Sequence, residues 1–464
     1  MNTLTLSLPA THAAAHQQVE LALRPRVMHR YLTSVHAQPA GHGQVACHIL
    51  DAKYEPNAHC SILYQLGEQL LIGQLQWKPD ALNAPETLAH SAALEMQIYP
   101  FEHDPALPSL TTVLDGPRMA NILNKILPEC VVGETRILRC QVTALRYRLG
   151  KRCTLRFELR LRDGASGVIR KRTLYGKLYH SAAKAQAVYE EMQKLAASPA
   201  LRAGKVEMAQ AVAFIPELPM VLQAPVAGLP LDMLLSQPKR TALADHPRVV
   251  EGIRRAAAAL AALHQVAAIS TRVRAVGPEL ERFQRRSAQI MPIAPTVGAG
   301  LNELACALPA WLDRLSDWGA ETSVVHGDCK PSQFFVTPGE QDASDASQVA
   351  LLDFDHCGMA DPAADVGNFL ATLRQLGVQQ ALTQREPTQG AAQQQRLHSL
   401  EEQFLAEYLA TRACHPDFHR RATWYQAVAL LRKALRSFSR SARSPLPALL
   451  VQEAWRCLAG LPVG

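Results

Sequence analysis

None of the ten cysteines in this 464-residue chain forms a CxxC pair. Thiols scattered singly from Cys47 to Cys457 argue against a zinc ribbon or a disulfide framework and suit a reducing compartment. No apolar run is long enough to span a bilayer; the best, Ala256 to Ala268, is interrupted by His264. Met1 to Arg24 has no basic segment leading into an unbroken apolar one, so no secretory signal is expected. These absences predict a cytoplasmic protein without a membrane partner. Aromatics are sparse, and no stretch interleaves them with basic residues or forms a known nucleic-acid module, so no nucleic-acid partner is expected. Low-complexity sequence that would forbid folding is also missing.

What is present points to two or three packed units, the ordinary expectation for this length. From about Cys140 to Val226 the chain reads as strands around one helix. Alternation marks Thr154 to Leu161 as a strand and Asp163-Gly164 as the turn after it. A second strand, Ile169 to Tyr179, ends near Ser181, an N-cap for a helix running to about Ala197. A third, Pro219 to Ala224, enters a connector punctuated by Pro225, Gly228 and Pro230. Beyond Leu231 the pattern is mainly helical, broken by a strand–loop–strand segment from Val324 to Asp355, with Thr337 to Gln348 as its loop. The Gln-, Gly- and Pro-rich stretch Thr383 to Gln395 reads as a connector between two helices. The segment Lys53 to Tyr64 can be laid over Arg146 to Phe157, with Tyr, Cys and a following aromatic in register; this is either a duplicated hairpin or a chance likeness. The formal net charge of +7 is uneven: from Val366 onward, twelve Arg or Lys face six Asp or Glu. That excess is either a solvated helical surface or an electropositive pocket for an anionic substrate.

The strongest signal is His326-Gly327-Asp328-Cys329-Lys330-Pro331-Ser332-Gln333, followed by Leu351-Leu352-Asp353-Phe354-Asp355. The first segment resembles the HGDxxxxN catalytic loop, and the second the DFG or DxD metal strand, of kinase-like phosphotransferases. Through these motifs the chain resembles the aminoglycoside phosphotransferase and choline kinase-like superfamily, which has the protein-kinase-like fold. Phosphoryl transfer needs mostly positioning and charge neutralisation. Asp328 fits the carboxylate that receives or orients the acceptor hydroxyl, and Gln333 and Asp353 supply oxygen ligands suited to Mg2+. By the same resemblance Lys330 neutralises the migrating phosphoryl. Most relatives have Asn where this chain has Gln333, and Gln there resembles the maltokinase-like branch. Asp361 to Asn368 resembles the DPxxDL segment, which makes Asp365 a brace for the catalytic-loop backbone or a plain helix cap. Asp355 either assists the metal or holds the loop. Leu263-His264 resembles the end of the first long large-lobe helix, with His264 a buried structural residue.

The resemblance implies further positions for ATP. Lys177 is the cation for the α- and β-phosphates. Its carboxylate partner comes from the next helix, where Val188, Met192 and Leu195 form one inward stripe and helical phase selects Glu191 over Glu190. Leu149-Gly150-Lys151-Arg152 is the loop over the phosphates, and Ala224 and Val226 present backbone groups to adenine. The implied fold class is α+β and two-lobed. A cap subdomain would cover residues 1–110, a sheet-rich N-lobe 111–224, and a helical C-lobe 225–464, with ATP between the lobes. The implied reaction is ATP- and magnesium-dependent transfer of a phosphoryl group to a hydroxyl of a small molecule. The acceptor would sit among Leu400 to Arg443, where the basic balance favours a sugar or polyol over a polycationic aminoglycoside. A regulatory pseudokinase is countered by the joint presence of Lys177, Asp328 and Asp353. A protein kinase is countered by the lack of a full Gly-rich loop.

Overall fold

A computed structural model describes residues 18–19, 21–35, 46–55, 59–76, 89–91, 96–203, 206–236, 247–267, 272–291, 294–337, 349–384, 387–440 and 444–462. The chain is α+β, sheet-rich in its N-terminal region and helical in its C-terminal region. It divides into a strand-rich unit, Thr5–Tyr189 with Ala211–Pro225, and a helical unit made mainly of Glu190–Gln210 and Val226–Gly464.

The strand-rich unit holds two five-stranded sheets. The first contains β1 (Cys47–Glu55), β2 (His59–Leu66), β3 (Gln69–Gln76), β4 (Ala89–Ser91) and β5 (Met96–Pro100), in the order β1-β2-β3-β5-β4. The second is built on β6 (Thr135–Arg148), β7 (Arg152–Asp163) and β8 (Ile169–Tyr179). After β9 (Val206–Met208), which belongs to the helical unit, β10 (Ala211–Ile215) and β11 (Met220–Gln223) complete it in the order β10-β11-β8-β7-β6. The alternation read from Thr154 to Leu161 has its cause here: Cys153, Leu155, Phe157, Leu159 and Leu161 all point into one core with Met119 and Leu123. Burial of each such side chain contributes about 1.5–3 kcal/mol. The Asp163 carboxylate accepts from the Ala165 and Ser166 N–H groups and closes the expected turn.

The two sheets share a register. Ser61 faces Gln74 across β2 and β3 as Thr154 faces Lys177 across β7 and β8. Leu75 faces Met96 as Leu178 faces Met220. A Cβ on Gly73 would lie 2.8 Å from Tyr64 and 2.7 Å from the Met96 sulfur; one on Gly176 would lie 2.6 Å from Phe157 and 2.9 Å from the Met220 sulfur. The glycine at each place thus makes room for an aromatic ring and a methionine. At the position matching Lys177, Gln74 is buried and accepts a 2.8 Å hydrogen bond from the Tyr99 hydroxyl.

In the helical unit, β12 (Leu229–Pro230), β14 (Phe334–Val336), β15 (Val349–Leu351) and β9 form one small sheet, and β13 (Ser323–Val325) pairs with β16 (Gly358–Ala360). The expected loop over Thr337 to Gln348 lies, after Thr337, outside the described residues; the strands on either side of it are antiparallel. The Pro247–Leu263 helix ends at Leu263, before His264. The expected connector Thr383 to Gln395 is shorter than its composition suggested. One helix runs through Thr383 and the next begins at Pro387. Pro at a helix start loses no needed N–H, and Gln is a good helix former, so the same residues that read as a linker initiate a helix.

Arginine–carboxylate pairs tie these helices together. Arg421, fully buried, reaches both oxygens of Asp361 at 3.1 and 3.2 Å, donates to the Trp318 and Gly319 carbonyls and lies over Phe418. Arg412 makes a two-pronged pair with Glu321, and Arg374 joins Glu401 and Glu453. Removing one partner of a buried pair costs more than forming it gains. Arg421→Ala is therefore expected to lower stability by about 3–5 kcal/mol in urea unfolding. The gap from wild type should narrow as pH falls, because burial already raises the Asp361 pKa and a protonated Asp361 needs no counter-charge.

Candidate functional site

The site residues of the helical unit sit at strand ends. β13 delivers His326 to Lys330, and β15 delivers Leu352 to Asp355. His326 joins them: its Nε2 donates to the Leu352 carbonyl at 2.7 Å, and its Nδ1 accepts from the Asp328 N–H at 3.3 Å. The Leu352 N–H donates to the Gln333 carbonyl at 3.0 Å, and the Gln333 Nε2 to the Asp353 carboxylate at 3.3 Å. Gln333 and Asp353 are thereby held side by side. Asp353 is the one non-glycine residue with positive φ among the described residues, at φ 69° and ψ 55°. That conformation costs about 1–2 kcal/mol for most residues and less for Asp. In that conformation the carboxylate meets the Gln333 amide.

Asp365 fixes the other side of the loop. Its carboxylate accepts from the His326 N–H at 2.5 Å and the Gly327 N–H at 2.9 Å. His264, buried just past the end of the Pro247–Leu263 helix, reaches the same carboxylate with Nε2 at 3.3 Å and meets the Tyr408 hydroxyl with Nδ1 at 2.6 Å. Burial lowers the His264 pKa, so a neutral ring donating from Nε2 fits both contacts. Burial alone would raise the Asp365 pKa, but the hydrogen bonds from His264 and the loop hold it below the usual carboxylate range. The residue thus braces the loop backbone, and Asp361 caps the helix through the Ala363 N–H.

Asp328 is ionised for a different reason. Burial pushes its pKa up and the nearby Asp353 carboxylate pushes the same way, yet the Lys330 ammonium, which donates to Asp328, brings it below its ordinary value. Two neighbouring carboxylates next to an amide define an all-oxygen donor set once the Gln333 amide is flipped to present Oε1. Hard divalent cations take such donors, so Gln333 and Asp353 fit magnesium. Asp355 is buried beside them, with its carbonyl near Arg272.

In the strand-rich unit, Lys177 is buried on β8 between Thr154 of β7 and Val221 of β11. Gly150 turns the β6–β7 hairpin at φ 62°, Lys151 is exposed, and Arg152 is buried opposite Tyr179. Nothing in the sequence pointed to Asp104, which ties this hairpin down. Its carboxylate accepts from the Tyr147 hydroxyl at 2.5 Å and from the Gly150 N–H at 3.1 Å. Ala224 lies just past β11, one residue before the strand-rich unit ends at Pro225, and Val226 begins the long C-terminal segment of the helical unit. Glu191 is buried in the helical unit while Glu190 is exposed, as the helical phase required.

Sequence reasoning also missed the support beneath the loop. Asn368 donates to the Cys329 carbonyl at 2.6 Å, and Arg432 reaches the Asn368 side chain at 3.4 Å. Asn368 stood inside the quoted Asp361 to Asn368 segment and was the available clue. Gly327 has φ 76°, and a Cβ there would lie 2.2 Å from the His356 carbonyl oxygen. Gly327→Ala is expected to cost at least about 2 kcal/mol in chemical denaturation, through strain and the clash together.

Residues 160–386 match the profile of the phosphotransferase enzyme family. Among solved structures, a choline kinase from Streptococcus pneumoniae is similar at 14% identity, over 74% of this chain and 99% of its own, with a TM-score of 0.42. A macrolide 2'-phosphotransferase from Brachybacterium faecium is similar at 16% identity, over 75% and 100%, with a TM-score of 0.39. A glucosamine kinase in complex with glucosamine, ADP and inorganic phosphate is similar at 15% identity, over 93% and 97%, with a TM-score of 0.43. No curated protein matches the chain. Among the described residues, no helix is long and apolar enough to cross a membrane.

Proposed function

We propose that this chain, whose residues 160–386 match the phosphotransferase enzyme family profile, is a phosphotransferase of hydroxyl-bearing small molecules with a specific reaction. It moves the γ-phosphoryl of ATP to a hydroxyl of a sugar or other polyol. The observation that carries this reading is the convergence of Asp328, Lys330, Gln333 and Asp353 through the hydrogen bonds of His326 and Gln333.

The acceptor hydroxyl gives its proton to the ionised Asp328 as its oxygen attacks the γ-phosphorus, and ADP leaves from the opposite side. Lys330 offsets charge on the migrating phosphoryl group. Lys177 serves the α- and β-phosphates, with Glu191 as its orienting carboxylate. The Gly150 hairpin, anchored by Asp104, covers the phosphates with Lys151 and Arg152 nearby, and the Ala224 carbonyl and Val226 N–H hold adenine. Gln333 and Asp353 would hold magnesium, which when bound neutralises phosphate charge and orients the γ-phosphoryl group. The basic excess after Val366 makes a polycationic aminoglycoside a poor guest.

The test is phosphoryl transfer from labelled ATP into a metabolite pool. Wild type should label an acceptor only with magnesium, and Asp328→Asn should lose about a hundredfold or more. Undiminished transfer by Asp328→Asn would sink the assignment, and rapid turnover of kanamycin alone would replace the polyol. Lys330→Met removes the cation that lowers the Asp328 pKa. The acid limb of its kcat/KM profile, where Asp328 takes up a proton, should therefore move to higher pH than in wild type.

A further inference from the structure

Five cations around the helices that carry and face the loop are each paired with a carboxylate. Lys330 is paired with Asp328, Arg374 with Glu401 and Glu453, Arg412 with Glu321, and Arg421 with Asp361. Arg432 makes a two-pronged pair with Glu279 at 2.7 and 2.9 Å. Lys433, the next residue on the Phe418–Arg440 helix, breaks this pattern. Among the described residues its ammonium meets only a neutral partner, the Thr372 hydroxyl at 2.8 Å.

Thr372 lies one turn beyond Asn368 on the Ala363–Thr383 helix and donates to the Asn368 carbonyl at 2.7 Å. Asn368 in turn holds the Cys329 carbonyl, so the Lys433 ammonium is linked through Thr372 and Asn368 to the Asp328–Lys330 loop and feels the charges of both residues. Burial, then Arg432, with Lys330 and Arg436 adding to it, pulls the Lys433 pKa down to about 7 against the opposing pull of Asp328. A half-buried ammonium with more cations than anions around it is costly to keep without a direct counter-ion. A core-stabilising role would be met at lower cost by an apolar residue. An arriving anion would satisfy the ammonium in a way that a neutral hydroxyl does not.

We propose that Lys433 recognises an anionic group on the acceptor, so that the substrate is a polyol bearing a carboxylate or a phosphate near the hydroxyl that is phosphorylated. This rests on the reading of Asp328 as the group that receives the acceptor proton. The excess positive charge of residues 366–464 then has a focus next to the chemistry, in place of a general surface field.

The experiment compares matched ligands by calorimetry on the full chain with ADP and magnesium: gluconate against sorbitol, and glucose 6-phosphate against glucose. The carboxylate and phosphate arms distinguish the two sources of negative charge. In wild type, at least one anion should bind about tenfold to a hundredfold more tightly than its neutral partner. In Lys433→Met that ratio should fall toward one, and Lys433→Arg should restore most of it. Thermal unfolding of each variant without ligand checks that the fold is intact. Equal binding of anionic and neutral members by wild type overturns the proposal. So does a Lys433→Met variant that weakens both members alike, because the lysine would then serve the transferred phosphoryl group or the fold. Magnesium-dependent release of ADP from ATP, measured in parallel, separates these outcomes from failure of the phosphotransferase reading: its absence in wild type sinks that reading, whatever the ligand ratios show.

Discussion

The Asp365 carboxylate is the constraint on which the helical unit's site depends. It takes two successive loop N–H groups, those of His326 and Gly327, and a third contact from the buried His264. A carboxylate buried this deeply is tolerable only when its oxygens are filled by donors. The requirement works in both directions. The loop satisfies the carboxylate, and the carboxylate fixes the backbone that carries Asp328. His326 then passes this order across to the strand that carries Asp353.

Two backbone conformations complete the arrangement. Gly327 and Asp353 both have positive φ, and each sits where the chain must turn sharply between a strand and the site. At Gly327 the close approach of the His356 carbonyl leaves no room for a side chain. At Asp353 the left-handed turn keeps the carboxylate in reach of the Gln333 amide, and Asp tolerates that conformation better than most residues. Electrostatics follow the same division. Asp365 is ionised because donors surround it, whereas Asp328 is ionised because one neighbouring ammonium outweighs both burial and a like charge.

Arg421, Arg412 and Arg374 show how a helical unit can contain so many charges inside. Each is matched to carboxylates from another helix or loop, which fixes the helices relative to one another by geometry that apolar contacts alone do not specify. Lys433 stands out against that background because its partner is a hydroxyl. In the strand-rich unit a shared register in two sheets brings a glutamine, Gln74, to the place where the second sheet has Lys177. The neutral residue is satisfied locally by Tyr99.

Local sequence determined the strands and their faces. The alternation through Phe157, the Asp163-Gly164 turn and the Ser181 cap are all properties of a few adjacent residues, and the structure repeats them. The phase of Glu191 was legible for the same reason, since helical periodicity is a local rule. Composition misled at Thr383 to Gln395, where Gln and Pro serve a helix start as readily as a linker. Sequence alone singled out the segments 326–333 and 351–355 as the candidate catalytic loop and metal strand, because their spacing is fixed along the chain. Only the tertiary structure decided that Asp104 holds the Gly150 hairpin, that Asn368 and Arg432 support the loop, and that Lys433 meets Thr372. The hydrogen bonds behind those statements join residues between 39 and 64 positions apart. No local pattern of polarity encodes such a meeting; it follows from how helices and strands pack.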